Sequence, residues 1–340
     1  MGTFRKILIS FQIYFAILVI ASVTFLSVLT AKADDEKSCS YINLATRSRL
    51  GITRDQGNIG WCYAHVAADI VTRATRQPIS VADMAVEYNH AFKTEGGAST
   101  VRERERQERD ATFADNGFTS RAIHNIEKKG FCLEKNFRSY DGASKDLIPI
   151  HKIALDLKKT YSGKDAETVK KAYAEIKVIV PQMNIIDFSE VFLNSNSTNF
   201  YDNLREKACA PRIHTDRQFS SASPKTKESL EMVINSQLEA GSPLGIAIET
   251  SCMKSNGPVE KKSTGHVVSI IGRKYVKDSN GKGSCQYILR NSWGLNDGQQ
   301  GKRYMTAERL HECFRRNLTF MTRTSRPSGE LEVDPLDTSP

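Results

Sequence analysis

The sequence lacks the paired cysteine and histidine spacings that hold a structural metal ion. Its seven cysteines and seven histidines include no CxxC pair and no HxxxH pair. Cys62 and His65 stand close together, but two residues make a poor zinc site because a tetrahedral ion needs more protein ligands. The pattern therefore predicts no metal centre.

Charge of one sign is not in large excess either. Lys and Arg number 48 against 39 Asp and Glu, for a net charge of +9. Residues 1–33 hold three of the basic residues and no acidic one, so without them the net charge is +6. Such a modest and dispersed charge is typical of the solvated faces of a soluble domain, and we expect no nucleic acid as a partner.

The first 33 residues are predicted to be a secretory signal peptide. Arg5 and Lys6 precede an apolar run over residues 7–29, and Ala31 and Ala33 provide a small-x-small cleavage pattern. The alternative is an uncleaved anchor, because the apolar run is long enough to span a bilayer. Only in that case would a membrane be a partner. The prediction is an exported protein that is secreted, periplasmic or lumenal.

The seven cysteines are compatible with export if one of them, Cys62, is set aside. If Cys62 is a nucleophile, six cysteines remain, enough for three disulfides in an oxidising compartment. The sequence cannot choose among the pairings, and buried thiols are the alternative. The six are Cys39, Cys132, Cys209, Cys252, Cys285 and Cys313.

The coarse pattern changes from helices to strands along the chain, with no internal repeat. Helical spacing predicts helices from Cys62 to about Arg76, from Ser80 through Tyr88, over residues 119–129, and within the Lys-rich stretch 145–177, followed by an irregular, polar stretch over residues 178–223. Strand-like runs follow at residues 243–248, 267–271, 287–289 and 303–305. Helices first and strands later predict an α+β architecture packed as two lobes.

Three short runs together indicate a cysteine-nucleophile acyl-transfer site. The first spans residues 55–65 and contains Gln56 and Cys62, the second is Gly-His-Val-Val with His266, and the third is Asn-Ser-Trp-Gly with Asn291 and Trp293. A neighbouring imidazole can hold a thiol as the thiolate, and a helix that begins at Cys62 would favour the negative charge.

Each of these residues has a predicted role. His266, on a strand, is the general base and acid, Asn291 fixes the imidazole orientation, and Trp293 covers that contact. The backbone N–H of Cys62 and the side-chain amide of Gln56 stabilise the oxyanion. Singly, each residue could be structural; together and in this order they favour catalysis. Surface or packing positions are predicted for His65, His90, His124, His151, His214 and His311.

These runs resemble the papain-type cysteine peptidases, the C1 family. Gln56 and Cys62 match the family's oxyanion glutamine and nucleophile, His266 with the preceding glycine matches the catalytic histidine, and Asn291 opens a complete asparagine box. The resemblance runs with gaps over about residues 52–305. It implies a helical left lobe that carries the cysteine, a β-rich right lobe that carries the histidine and asparagine, a peptide-binding cleft between them, and no metal or organic cofactor.

The chain also departs from the family pattern. Tyr63 replaces a Trp, and Ile59 replaces a cysteine, so the family's first disulfide is absent. Trp61 replaces a small residue and is expected to narrow one side of the cleft. Residues 141–235 have no clear match, and we expect an insertion or an elaborated inter-lobe segment. Residues 34–61 are too few for the family's usual inhibitory pro-segment, so a separate protein inhibitor is a possible partner.

The predicted organisation is a signal peptide over residues 1–33, a short extension over 34–51, a catalytic domain over 52–325 and a tail over 326–340. The predicted function is an exported papain-like cysteine peptidase that hydrolyses peptides or proteins through a thioester acyl-enzyme. The alternative is a weakly active or inactive peptide-binding or partner-binding protein on the same fold. Transpeptidation by the same thioester chemistry is a further possibility.

Overall fold

The structure is a computed structural model that describes most of the region predicted to be the catalytic domain. The described residues are 39–47, 50–94, 117–142, 145–254, 257–260 and 265–322. The predicted signal peptide and the predicted C-terminal tail lie outside them. No helix in these ranges is both long enough and apolar enough to cross a membrane.

The first part of the described chain is mainly helical. Its elements are β1 (Ile42–Asn43), α1 (Leu44–Arg47), α2 (Cys62–Thr75), α3 (Val81–Thr94), α4 (Thr119–Glu127), α5 (Ile148–Thr160), α6 (Ala166–Ile176), α7 (Ile185–Asn194) and α8 (Phe200–Cys209). Helix α3 begins where the sequence predicts, because the hydroxyl of Ser80 accepts a hydrogen bond from the backbone N–H of Asp83 at 3.1 Å and so caps the helix.

The second part is mainly antiparallel sheet. Its elements are β2 (Gln218–Ala222), α9 (Lys227–Glu239), β3 (Leu244–Glu249), α10 (Ser251–Lys254), β4 (Gly265–Lys277), β5 (Gly283–Arg290), β6 (Lys302–Thr306), α11 (Ala307–Cys313) and β7 (Phe314–Thr322). The strand order is β2-β7-β3-β4-β5-β6, and β1 pairs with β4. The four predicted strand runs lie in β3, β4, β5 and β6.

The two largest of the three hydrophobic clusters correspond to two lobes. One is built from α2 to α8 and includes Tyr63, Ile70 and Phe137. The other lies against the sheet and includes Ile246 and Leu289. Helix α2 also packs against β3, β4 and β7, so it forms a large part of the contact between the lobes. The α+β class with a helical part and a β-rich part is confirmed.

The prediction of an irregular stretch over residues 178–223 is wrong. Helices α7 and α8, of ten residues each, and strand β2, of five, lie within it, and the aromatic residues of the two helices pack together. The rings of Phe188 and Phe192 lie 5.5 Å apart, and those of Phe192 and Phe200 lie 5.7 Å apart. Most polar residues of these two helices are exposed or half-buried, whereas Arg205 is buried. These helices belong to the same hydrophobic core as α2, so this stretch is an integral part of the helical lobe.

The six cysteines other than Cys62 form three disulfides, as expected. The pairs are Cys39–Cys285, Cys132–Cys209 and Cys252–Cys313. The second ties the end of α8 to the segment that follows α4, and the third ties α10 to α11. Cys62 lies outside all three and keeps its thiol.

Candidate active site

Cys62 is the first residue of α2, at the helix end that favours negative charge. It is buried, with 9 % of its surface exposed. The carbonyl of Trp61 accepts hydrogen bonds from Ala64 N–H at 2.9 Å and His65 N–H at 3.1 Å, which closes the first helical turn. The thiol is therefore held at a defined position at the end of a rigid element.

The loop before the nucleophile is bonded to the segment that follows β5. The backbone N–H of Gln56 donates to the carbonyl of Ser292 at 2.8 Å, and the Ser292 hydroxyl donates to Gln56 Oε1 at 2.5 Å. Asp55 also forms a bridge with Trp293. Gln56 Nε2 donates to the carbonyl of Ile59 at 2.8 Å, so the amide orientation is fixed from both ends.

His266 lies at the start of β4, is buried, and contacts Asn291 and Trp293. Its Nε2 lies 2.7 Å from Oδ1 of Asn291, and because Oδ1 can only accept, Nε2 carries the proton. In the neutral ring, Nδ1 then keeps its lone pair. The indole of Trp293 lies against the imidazole, with ring centroids 4.7 Å apart. The structure therefore brings together His266, Asn291 and Trp293.

Asp297 extends this arrangement, and sequence reasoning missed it. Asn291 Nδ2 donates to Asp297 Oδ2 at 2.7 Å, and Arg303 on β6 donates to Asp297 Oδ1 at 2.5 Å. The amide of Asn291 is thereby fixed with its oxygen toward His266. A single aspartate in a glycine-rich turn carries no recognisable pattern, so only its position beyond the Asn-Ser-Trp-Gly box could have drawn attention to it.

Burial and the neighbouring polar groups shift the pKa of His266 in opposite directions. Burial lowers the pKa of His266, while the hydrogen bond to Asn291 and the carboxylate of Asp297 act to raise it, and the net shift is downward. Burial would raise the pKa of Asp297, but the hydrogen bonds from Arg303 and Asn291 outweigh it and the net shift is downward. Asp297 is therefore ionised and favours the imidazolium form of His266.

Cys62 and His266 line one cleft of about 250 Å³ between the lobes. The helical lobe contributes the residues around the start of α4, and the sheet contributes residues of β3, β4 and β7. The other lining residues are Gly117, Phe118, Thr119, Ser120, Gly245, Ala247, Gly265, Val267, Arg315, Asn317 and Thr319. Gln56, Asn291 and Trp293 are not among the lining residues.

The expectation that Trp61 narrows the cleft is wrong. Its side chain is 1 % exposed and packs in the core of the helical lobe, together with Ile59. Trp61 is absent from the cleft lining. Trp61 directly precedes α2, and at this position its indole ring packs into the hydrophobic core and not toward the cleft.

A buried polar network lies behind the site. Asp69 on α2 accepts from the Ser269 hydroxyl at 2.8 Å and pairs with Nε of Arg290 at 3.2 Å. Arg290 also donates to the carbonyls of residues 50–52. His65 lies at the same place, and burial followed by the charges of Arg54 and Arg290 lowers its pKa well below the usual value. This network joins α2 to β4 and β5, and sequence reasoning did not find it.

One cluster among the described residues has the proximity of a metal site. Asp83, Cys132 and Cys209 lie close together and are buried. The two cysteines form a disulfide and so offer no thiolate, and Arg205 and Arg212 both donate to the Asp83 carboxylate. The chemistry of this donor set does not suit a cation.

Comparison with known proteins gives matches at the level of structure. No family model matches this sequence, and no curated protein matches it. The fold is similar to the proform of the ragweed cysteine protease Amb a 11 (12 % identity over 85 % of this chain and 67 % of that one, TM-score 0.46). It is also similar to a recombinant stem bromelain precursor (16 % identity, 83 % and 70 % covered, TM-score 0.46).

A third similar structure is bromelain from Ananas comosus in complex with the inhibitor E64, with 14 % identity over 83 % of this chain and 98 % of that one, and a TM-score of 0.43. The resemblance in sequence to papain-type peptidases is thus accompanied by similarity to solved cysteine proteases. At these TM-scores the similarity says nothing about the chemistry of this cleft, which depends on its own residues.

Proposed function

We propose that this chain is a papain-type cysteine peptidase that hydrolyses peptide bonds in the cleft between its lobes. One observation carries the proposal. Cys62, at the start of a helix, and His266, hydrogen-bonded through Nε2 to Asn291, line the same cleft. A thiol at a helix N-terminus beside an imidazole of fixed tautomer is the arrangement that cysteine-based acyl transfer needs.

The reaction proceeds in two halves. His266 Nδ1 takes the proton of the Cys62 thiol, and the thiolate attacks the substrate carbonyl carbon to form a C–S bond. The oxyanion collapses, the C–N bond breaks, and the amine leaves with the proton from His266. Water then attacks the thioester with His266 as base, which releases the carboxylic acid and restores the thiol.

The oxyanion is stabilised by the backbone N–H of Cys62 and the side-chain amide of Gln56. The contacts of Gln56 with Ser292 and Ile59 support this role, because a preorganised donor costs no reorganisation during the reaction. Loss of one such donor typically lowers the rate by about 100-fold to 1000-fold.

Asp297 is a positioning residue in this proposal. Its hydrogen bond from Asn291 holds the amide oxygen toward His266, and its charge favours the imidazolium that pairs with a thiolate. The bond from Arg303 fixes the carboxylate in turn. The site thus consists of a nucleophile, a base, and two residues that orient the base.

Export of this peptidase is part of the proposal. Three disulfides fit an oxidising compartment, since thiols are kept reduced in the cytosol. Cleavage after Ala33 would release the mature chain. Peptides or proteins are the proposed substrates, and a separate protein inhibitor is a proposed partner.

The test is covalent labelling with E-64 followed by mass spectrometry of the purified mature protein. We expect a single adduct on Cys62, formed rapidly by the wild type and at least about 100-fold more slowly by His266→Ala, because the neutral thiol is a poor nucleophile. His214→Ala, outside the cleft lining, is the matched control and should label at the wild-type rate. Absence of labelling in folded protein would instead favour the binding-protein alternative.

A further inference from the structure

One wall of the cleft is formed by alternate residues of β7. Arg315, Asn317 and Thr319 line the cleft. Leu318, between Asn317 and Thr319, packs in the core on the other side of the sheet. Because side chains alternate across a strand, this wall is a regular polar stripe.

The neighbouring strands present small residues to the cleft beside this stripe. They are Gly245 and Ala247 on β3 and Gly265 on β4, and Val66 of α2 packs against Gly245. A Cβ atom built at Gly265 would lie 2.8 Å from Nη1 of Arg315, so the absence of a side chain there is what lets the guanidinium lie beside the residue before His266. Arg315 is thus close to the reacting groups.

A buried carboxylate holds the guanidinium in place. Nε of Arg315 pairs with Oε1 of Glu249 at 3.3 Å, and Glu249 is buried and does not line the cleft. A guanidinium has five N–H donors in a planar fork, so it can hold one carboxylate through Nε and bind a second one. Among the described lining residues there is no Asp or Glu. Arg315 is therefore the only Lys, Arg, Asp or Glu among the described lining residues.

We propose that this cleft selects a substrate residue with a carboxylate side chain, glutamate or aspartate, which Arg315 binds with the Asn317 amide beside it on the same wall. The proposal rests on the proposed peptidase function. A charge-assisted bond to a preorganised guanidinium is about twice as strong as a neutral one, and most of its ordering cost is already met by Glu249. A neutral amide of the same size would lose the charge, and an aliphatic side chain would leave the polar wall without a partner.

The first test compares peptides that differ at one position only. Glu, Gln and Leu are placed in turn at each of the four positions before the cleaved bond, and kcat/KM is measured. At one position we expect Glu to exceed Gln and Leu by about tenfold, as expected for one hydrogen bond to a charged group. Arg315→Gln should bring the Glu/Gln ratio to about one, and Arg315→Glu should reverse the preference toward Lys.

Two control variants make the result specific. Arg217→Gln removes an exposed arginine that is absent from the cleft lining, and the Glu/Gln ratio should keep its wild-type value. Glu249→Gln removes the buried partner but keeps the guanidinium, and the preference for Glu should persist or increase. Equal melting temperatures for Arg315→Gln and the wild type would show that the variant is folded.

A binding assay separates this inference from the proposed function. Fluorescence anisotropy of Cys62→Ala with the same labelled peptides measures selection without turnover. A preference for the Glu peptide that Arg315→Gln abolishes supports the inference, even if the wild type hydrolyses nothing and the peptidase proposal fails. Efficient hydrolysis with equal or better use of Leu peptides would overturn the inference and leave the peptidase proposal intact. Equal affinities of Cys62→Ala for the Glu and Gln peptides would also overturn the inference.

Discussion

At the scale of single residues, the ring of His266 is shaped by groups that no sequence pattern joins to it. Asn291 contacts the ring, Asp297 contacts Asn291, and Arg303 contacts Asp297. The Asn291 side chain links Asp297 to the imidazole through two hydrogen bonds. The negative charge of Asp297 is therefore close enough to raise the pKa of His266. If the proposed function holds, removal of that charge is measurable in the pH dependence of peptide hydrolysis.

We predict that Asp297→Asn moves the alkaline limb of the kcat/KM profile toward lower pH by roughly half a unit to one unit. The reason is that the carboxylate raises the pKa of His266, so its loss lets the imidazolium deprotonate earlier. Asp278→Asn, in an exposed turn, is the control. An Asp297→Asn profile that is lower at every pH but not displaced would mean that Asp297 is only structural.

Asp146 is the second residue with a testable charge. Burial raises its pKa from 3.8 to about 7, and the carboxylate of Asp55 also raises it, while hydrogen bonds from the N–H groups of Leu147 and Ile148 act to lower it. The folded state thus binds this proton more tightly than the unfolded state does. Stability contributed by the protonated form is lost as the pH rises from about 4 to about 7.

We therefore predict that Asp146→Asn raises the melting temperature at a pH of about 8 and leaves it nearly unchanged at a pH of about 4.5. Asparagine keeps the acceptor for the Ile148 N–H at the 3.0 Å contact and removes the charge. Asp141→Asn is the matched control, since Asp141 is exposed and likewise accepts a backbone N–H. The same gain at both pH values would refute the pKa shift as the cause.

At the scale of elements, the packing of α7 and α8 shows whether residues 141–235 are an independent appendage or part of the helical lobe. Phe192 is fully buried against Phe188 and Phe200, whereas Ile186 on the same helix is 77 % exposed. Lys158 on α5 also donates to the carbonyl of Phe192 at 2.9 Å. The aromatic cluster therefore joins three helices to the core that supports α2.

We predict that Phe192→Ala lowers the free energy of unfolding by about 3 to 5 kcal/mol, because a large buried ring leaves a cavity. Ile186→Ala should cost less than about 0.5 kcal/mol. Urea unfolding followed by far-UV circular dichroism measures both. If Phe192→Ala unfolded these helices separately and left the rest of the helical lobe at wild-type stability, the segment would be an independent appendage.

Nine of the 18 described elements could be predicted from their sequence pattern, namely α2 to α6 and β3 to β6. The apolar runs that predict helix α2 and strands β3 to β5 are largely buried in the structure. Several of the other elements were missed for identifiable physical reasons. Strands β2 and β7 were missed because more than half of their residues are polar, which conceals the alternation. Helices α7 and α8 were missed because their few large aromatic residues bury a surface that the polar composition does not reveal.

At the scale of the whole molecule, the site exists only where the two lobes meet. Helix α2 supplies Cys62, and the sheet supplies His266. Hydrogen bonds between Gln56 and Ser292 and the ion pair between Asp69 and Arg290 fix the position of α2 relative to the sheet. Disulfides tie each lobe internally, and that from Cys39 to Cys285 ties the first described residues to β5.

We predict that the mature protein, unfolded without reductant, shows one reactive thiol, that of Cys62. The six other cysteines are paired in the structure, and disulfides persist in denaturant when no thiol exchange occurs. Titration with a chromogenic disulfide measures the count, a reduced sample should give seven, and blocking Cys62 with iodoacetamide beforehand should give none. Three or more thiols in the unreduced sample would contradict the pairing.

The sequence by itself determined the chemistry available to this protein. Three of its features are local in the chain: the spacing of Gln56 and Cys62, the glycine before His266, and the box that begins at Asn291. A fourth is the even number of cysteines that remain besides Cys62, which can be counted without any structure. The tertiary structure decided which cysteines pair, that Trp61 enters the core, that Asp297 contacts Asn291 and that Arg315 lies beside the cleft. These depend on packing between segments distant in the chain or on the direction of a single side chain, and neither is fixed by local composition.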